Sequence, residues 1–461
     1  MVEIKKAFII GLDSSSPELV FNQFLKDLPN LKEMVQNSIY GSLKSCDPPI
    51  TIPAWMTMMT GKSPGTLGLY GFRHKKPQSY TEFYIANSHS VKEKCVWDII
   101  SENDLRSCVI GVPPSYPPKP INGNLISCFI TPDSTKNYTY PKELKQEIEN
   151  LTGPYPFDVK FRTEDRDKLL KELYDMTKKH FKVIKHLIKT KKWHLFMAME
   201  IGVDRIQHAF WKFFDETHKR YVPNHPYKDV IRDYYKYLDF EIGEITRLLD
   251  DDTTVFVVSD HGAKKMDGAF CINEWLIQEG WMNINEKPSE VVELKGAKID
   301  WTKTKAWGWG GYYARIFLNL KGREPNGIIE QKDFENERKQ LAQALMEIRD
   351  PDGRKMRMKV YTPEELYPVC RGDYPDLMVY FDDLYWRSAG TLGHESIYLP
   401  ENDTGPDDAM HAQDGLFLMY SKDGTYNKKK KKAEIVDIAP TVLQVMGQTV
   451  PHDMEGKTIG M

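Results

Sequence analysis

The sequence predicts an α/β fold, a largely parallel sheet flanked by helices, and three observations carry that prediction. Short apolar runs alternate with longer amphipathic segments, the rhythm of strands joined by crossover helices. Several of these apolar runs stop at an aspartate or a histidine. The 461 residues, 41% of them hydrophobic, supply a large core with room for a smaller inserted unit.

The elements follow in chain order. KAFIIGLD, residues 6–13, reads as a buried strand ending at Asp13. In PPITIPAWMTMMTGKSP, residues 48–64, Thr51 opens a short helix that ends at Gly61. A threonine there caps the helix, or it is a nucleophile at the positive end where an anion would bind. Taken alone, the residue leaves both readings open. SCVIGVPPSYPP, residues 107–118, is a strand cut off by prolines. The leucine- and lysine-rich segment 166–192 is a long amphipathic helix feeding the strand WHLFMAMEIGVD, residues 193–204. Segment 227–251 is a second such helix, leading into the strand TTVFVVSDHG, residues 253–262. DGLFLMYS, residues 414–421, is a late strand. DIAPTVLQVMG, residues 437–447, is a helix with Pro440 in its first turn and Gly447 past its end.

Two stretches break this rhythm. The five lysines at 428–432 read as a solvated loop, with an anion-binding patch as the alternative. Residues 283–375 hold ARIFLNLKGREPNGII, a charged helix at 330–348 and a turn at DPDGRK. They are expected to form a smaller inserted α+β subdomain, with 1–282 and 376–461 as the core.

Bulk composition narrows the function classes. A net charge of −3 gives no general pull toward nucleic acid or anionic membrane. Cys46, Cys95, Cys108, Cys128, Cys271 and Cys370 are scattered without a CxxC pair, which argues against a disulfide framework or thiolate metal site. The apolar run at the N-terminus is brief, and HLFMAMEIGV is too short to cross a bilayer and carries Glu200. A soluble, cytoplasmic protein is expected.

The residues with chemistry sit where strands end, the place where open α/β sheets gather ligands. Asp13 closes the first strand, and Asp204 follows MAMEIGV with His208 four residues on. On a helix those two share a face and reach one ion. Asp260 and His261 close VFVVSDHG ahead of Gly262, where the chain can turn sharply. His411 directly precedes the late strand. Singly, such an aspartate most often makes a turn and such a histidine packs; together, three carboxylates and three imidazoles make two nitrogen/oxygen sites suited to zinc.

The ordered set of Asp13, Thr51, Asp204 with His208, Asp260 with His261, and His411 resembles the alkaline phosphatase superfamily. The likeness is closest to the type I phosphodiesterase/nucleotide pyrophosphatase branch and its cytoplasmic phosphohydrolase and phosphomutase relatives. It spans nearly the whole chain, from FIIGLDSSSPELV to IVDIAPTVLQVMG. The resemblance implies an alkaline-phosphatase-like core with two divalent ions, zinc first and manganese second. Asp204, His208 and His411 would hold one ion; Asp13, Asp260 and His261 would hold the other, with the Thr51 oxygen bound to it. His394, in GTLGHES, competes with His411, which is preferred because it directly precedes a strand. Thr51 is then the nucleophile of a hydrolase that passes through a phospho-threonine.

The substrate expected is a small-molecule phosphate ester, nucleotide- or sugar-linked, most readily a diester. A phosphomonoesterase or phosphomutase is the alternative, and a non-catalytic binding protein on this fold is the third reading. A monoesterase needs added positive charge, and only Arg73 stands out for it. Arg73 and His74, in GLYGFRH, are substrate-binding candidates; AWGWGGYY (306–313) and ENDTGPDDAM (401–410) are candidate loops. A sulfatase is disfavoured because ITIPAW lacks the Cys or Ser of a C/S-x-P-x-R frame, and a metal-independent serine-type hydrolase because no G-x-S-x-G elbow is present.

Overall fold

The computed structural model describes residues 5–460. Nine strands build its main sheet: β1 (Lys6–Leu12), β2 (Ser38–Lys44), β3 (Ser107–Ile110), β4 (Gly123–Ile126), β5 (Thr139–Tyr140), β6 (Leu195–Glu200), β7 (Thr253–Val258), β8 (Asp414–Tyr420) and β9 (Lys429–Glu434). Their spatial order is β9-β2-β8-β7-β1-β6-β3-β4-β5. From β7 to β4 every pairing is parallel, whereas β8 runs against both β7 and β2, and β5 runs against β4. Every residue of β6 and β7 is buried, so the central strands read as unbroken apolar runs rather than alternating ones.

Five helices matter for the site: α1 (Thr51–Thr60), α2 (Arg166–Thr190), α3 (Gly202–Phe214), α4 (Val230–Leu248) and α5 (Ile438–Val445). Leu169, Leu173, Met176, Val183 and Leu187 give α2 its buried stripe, and the Asp165 side chain caps it by accepting from the Lys168 amide. α1 stops at Gly61, whose φ of 65° is the left-handed conformation that a helix C-terminus favours. The close packing of α1 on the sheet depends on Gly11. A Cβ there would sit 2.2 Å from the Trp55 ring, so only glycine lets this wholly buried tryptophan lie on β1.

The lysine tract is not a loop. Residues 429–434 form β9, which pairs in parallel with β2 at the sheet edge. Charge along an edge strand discourages pairing with another chain, so the same lysines that looked solvated serve a strand position that only one neighbour covers.

A second hydrophobic cluster runs from Phe270 to Leu392 and also takes in Tyr80. Its antiparallel four-stranded sheet orders Ala306–Trp309, Ala314–Leu318, Leu377–Tyr380 and Lys359–Tyr361. The charged helix forms over Phe334–Met346, with Leu341 and Leu345 buried in this cluster. The six cysteines are all free. Among the described residues, no helix is long and apolar enough to cross a membrane.

Candidate active site

Three neighbouring parallel strands deliver most of the site. β7, β1 and β6 are adjacent and end on one side, with Leu12 opposite Glu200 and Gly11 opposite Val258. Asp13 therefore emerges beside Asp260 and His261, and α3, starting just past β6, turns Asp204 and His208 toward them. His411 arrives differently. The strand Ala409–Ala412 pairs antiparallel with Gly262–Lys265, which sets His411 opposite Ala263. All six residues are at most 1% exposed.

Their donor atoms fall into two overlapping groups, one of Asp13, Asp260 and His261 and one of Asp204, His261 and His411. His208 joins the second through Asp204, with its Nε2 3.2 Å from Asp204 Oδ1, while His411 Nε2 lies 3.6 Å from the same oxygen. Asp13 Oδ1, Asp204 Oδ1, Asp260 Oδ2, His261 Nε2 and His411 Nε2 are buried without a hydrogen-bond partner. Buried polar atoms are seldom left so, and five in one place fit the ligand set of divalent cations.

Surrounding groups hold these atoms ready. The His261 ring donates from Nδ1 to the Gly262 carbonyl (3.0 Å) and His411 from Nδ1 to the Pro49 carbonyl (2.8 Å). Each arrangement leaves Nε2 as the lone-pair nitrogen that a metal needs. Burial keeps both imidazoles below their usual pKa, and in His261 the neighbouring His411 adds to the effect. His208 instead sets Nδ1 against Asp407 Oδ1 at 2.6 Å. Burial opposes its charge, yet Asp407 and Asp204 hold its pKa well above the ordinary value. Trp55 Nε1 donates to Asp13 Oδ2 (2.7 Å), and the Ser14 amide donates to Asp260 Oδ1 (3.1 Å). Burial, reinforced by the neighbouring carboxylates, pushes both Asp13 and Asp260 well up.

Thr51 lines a cleft of about 740 Å³, together with Asp204 and Arg205. It is the first residue of α1 and not its cap: Ile50 holds the cap position, and no side-chain hydrogen bond caps the helix. At 4% exposure, Thr51 is buried yet lines the cleft, beside a helix end whose backbone amides favour an anion.

The two substrate-binding candidates part company. Both belong to the short strand Arg73–Lys75, where successive side chains face opposite ways. Arg73 is exposed, lines the cleft and lies over the Phe83 ring. His74 is buried, its Nε2 bonds to the Gly71 carbonyl at 3.2 Å, and burial with nearby Arg315 lowers its pKa to about 4. His394 stands apart from the cluster, its Nε2 2.8 Å from Thr391 Oγ1.

AWGWGGYY forms the first strand and the turn of a hairpin, and it divides its aromatics. Trp307 packs in the second core, while Trp309 and Tyr312 line the cleft. Tyr312 stacks on His411 with ring centroids 3.7 Å apart, and its hydroxyl lies 3.3 Å from His208 Nε2.

Several supporting residues escaped the sequence reading. Arg205 donates to Asp204 at 2.6 Å and grips both oxygens of Asp158. Arg162 holds Asp407 from the side opposite His208. Arg205 adjoins Asp204 in sequence, but Asp158 and the partners of Asp407 are far off along the chain, and no local pattern announces such pairs.

The family profile described as type I phosphodiesterase / nucleotide pyrophosphatase matches residues 7–407. No curated protein matches the chain significantly. Solved structures similar to it include murine ectonucleotide pyrophosphatase / phosphodiesterase 5 (13% identity, TM-score 0.57, 97% of each chain covered). The human protein of that name aligns at 13% identity, TM-score 0.58 and 97% of each chain. An inactive variant of the murine protein, in complex with AMP, aligns at 13% identity, TM-score 0.56 and the same coverage. At this identity the likeness establishes the fold.

Proposed function

The chain belongs to the type I phosphodiesterase / nucleotide pyrophosphatase family, and from there we propose that it hydrolyses phosphate diesters with Thr51 as nucleophile. The observation that carries this reading is the cluster of partnerless Asp and His atoms, one member of which, Asp204, lines the same cleft as Thr51. Asp204, His208 and His411 would hold one divalent ion, and Asp13, Asp260 and His261 the other, with Thr51 Oγ1 next to the second. Zinc suits the mixed nitrogen and oxygen donors best, with manganese second. Such ions, when bound, lower the pKa of a hydroxyl and offset charge on phosphate oxygens.

The chain's own part is positioning. Thr51 Oγ1 gives up its proton to solvent and forms a bond to phosphorus as the bond to the leaving oxygen breaks; that oxygen keeps the electron pair and takes up a proton to depart as an alcohol. Water then attacks phosphorus from the vacated side, the Oγ1–P bond breaks to release the phosphate monoester, and a proton from that water returns to Thr51 Oγ1. The amides at the start of α1 face the phosphoryl oxygens, and Trp55 and the Ser14 amide keep Asp13 and Asp260 oriented throughout. The cleft volume suits a nucleotide-sized ester, and the AMP complex of the murine neighbour supports that class.

A phosphomonoesterase or phosphomutase is the second reading, and one observation favours it. Arg162, Arg205, Arg315 and Arg387 line the cleft alongside Arg73, so positive charge for a dianionic substrate is less scarce than the sequence suggested. Matched aryl phosphate mono- and diesters, assayed with zinc or manganese added, separate the two. Faster turnover of the diester, abolished by a chelator, is the expected result. Faster turnover of the monoester moves the protein to the second reading, and full activity in a chelator with no metal by elemental analysis removes both.

A further inference from the structure

Five arginines line the cleft, and an account of their partners leaves one conspicuous. Arg205 is neutralised by Asp204 and Asp158, and Arg162 by Asp407. Arg73 is exposed to solvent, and Arg315 donates to the Arg73 carbonyl. Arg387, on the strand Trp386–Ala389, is only 6% exposed, yet its Nε and Nη1 have no hydrogen-bond partner among the described residues. Its nearest carboxylate, Asp407, is 3.7 Å away and already committed to His208 and Arg162.

A buried guanidinium without hydrogen bonds is costly, and a cleft wall is where a ligand can relieve that cost. The position indicates which part of a ligand. The Arg387 guanidinium lies 4.5 Å from the centroid of the Tyr312 ring, and Tyr312 stacks directly on His411. Arg387 is thus separated from the metal-type cluster by one aromatic ring, a position that suits a contact with a substituent of the substrate. Guanidinium groups recognise oxyanions by paired hydrogen bonds, and Tyr312 and the burial of the site strengthen such a contact by excluding water.

We propose that Arg387 forms a subsite for a second anionic group of the substrate, a carboxylate or a phosphate carried on one of the ester substituents. This rests on the phosphodiesterase reading for its first anionic group, so the test separates the two. Zinc-loaded protein is titrated by calorimetry with phenylphosphonate and with 3-carboxyphenylphosphonate. In parallel, turnover is measured on 4-nitrophenyl aryl phosphates whose aryl group is phenyl or 3-carboxyphenyl.

The carboxylated member of each pair should be favoured about tenfold or more, in affinity and in kcat/KM, the gain of one charge-assisted contact. In Arg387→Met that ratio should fall to near one, and Arg387→Lys should recover part of it. Arg315→Met should keep the ratio. An equal response to both members in the unaltered protein, or a ratio that survives in Arg387→Met, overturns the subsite. So does a ratio lost in Arg315→Met but kept in Arg387→Met. A binding preference that follows Arg387 while neither diester is hydrolysed upholds the subsite and defeats the phosphodiesterase reading instead.

Discussion

Replacing Thr51 by alanine separates its two roles by magnitude. Had Thr51 capped α1, the change would cost about 1 kcal/mol of stability and leave the rate nearly intact. In the structure Ile50 holds the cap position and no side chain caps the helix, so even that loss is not expected from a cap. What remains is one buried methyl, worth about 1 kcal/mol at most, set against a fold this large. The melting temperature of Thr51→Ala should therefore move by only a few degrees. Turnover should behave quite differently, because deleting an attacking oxygen removes the reaction path itself, and losses of roughly 10³-fold or more are typical. Thr51→Ser keeps the hydroxyl and should retain measurable activity. The assay is steady-state hydrolysis of 4-nitrophenyl phenyl phosphate by all three proteins, with circular dichroism for folding. Mass spectrometry of acid-quenched protein should detect a phosphoryl group on residue 51 in the parent and none in Thr51→Ala. A folded Thr51→Ala that turns over near the parent rate would refute the reasoning outright.

Three further outcomes follow from the geometry. His411→Ala should lose metal from one position and most activity, whereas His394→Ala should keep its metal, since His394 is occupied with Thr391; elemental analysis giving the reverse pattern would move the ligand to His394. Asp407→Asn removes the charge that faces His208 Nδ1 and leaves Arg162 without its counter-charge, so metal affinity should fall by about 10–100-fold in a competition titration. An unchanged affinity would show that Asp407 does not orient His208. Gly11→Ala drives a methyl into Trp55 and should cost about 1–3 kcal/mol in denaturant melts. Because Trp55 also holds Asp13, the same variant should bind metal more weakly, and a variant that is destabilised but binds metal normally would uncouple the two roles.

What the sequence determined by itself was everything set by local pattern. Apolar runs that stop at Asp13 and at Asp260 with His261 announce strand ends, because a buried strand tolerates such residues only where it leaves the sheet. Asp204 and His208 are four apart, and a helix puts them on one face whatever lies around it. Tertiary structure alone decided which strands are neighbours. The order β7-β1-β6 brings residues 13, 204 and 260 together across separations that no local propensity encodes. It also gave His411 its place through an antiparallel ladder, set His208 against Asp407, turned His74 away from the cleft, and made the lysine tract an edge strand. Arg387 belongs here too, since its lack of a partner is a property of the assembled cleft. The physical reason is common to all of these. Hydrogen-bonded pairing and burial are satisfied between distant segments, so a residue's type can be read along the chain while its partner is chosen only when the chain closes on itself.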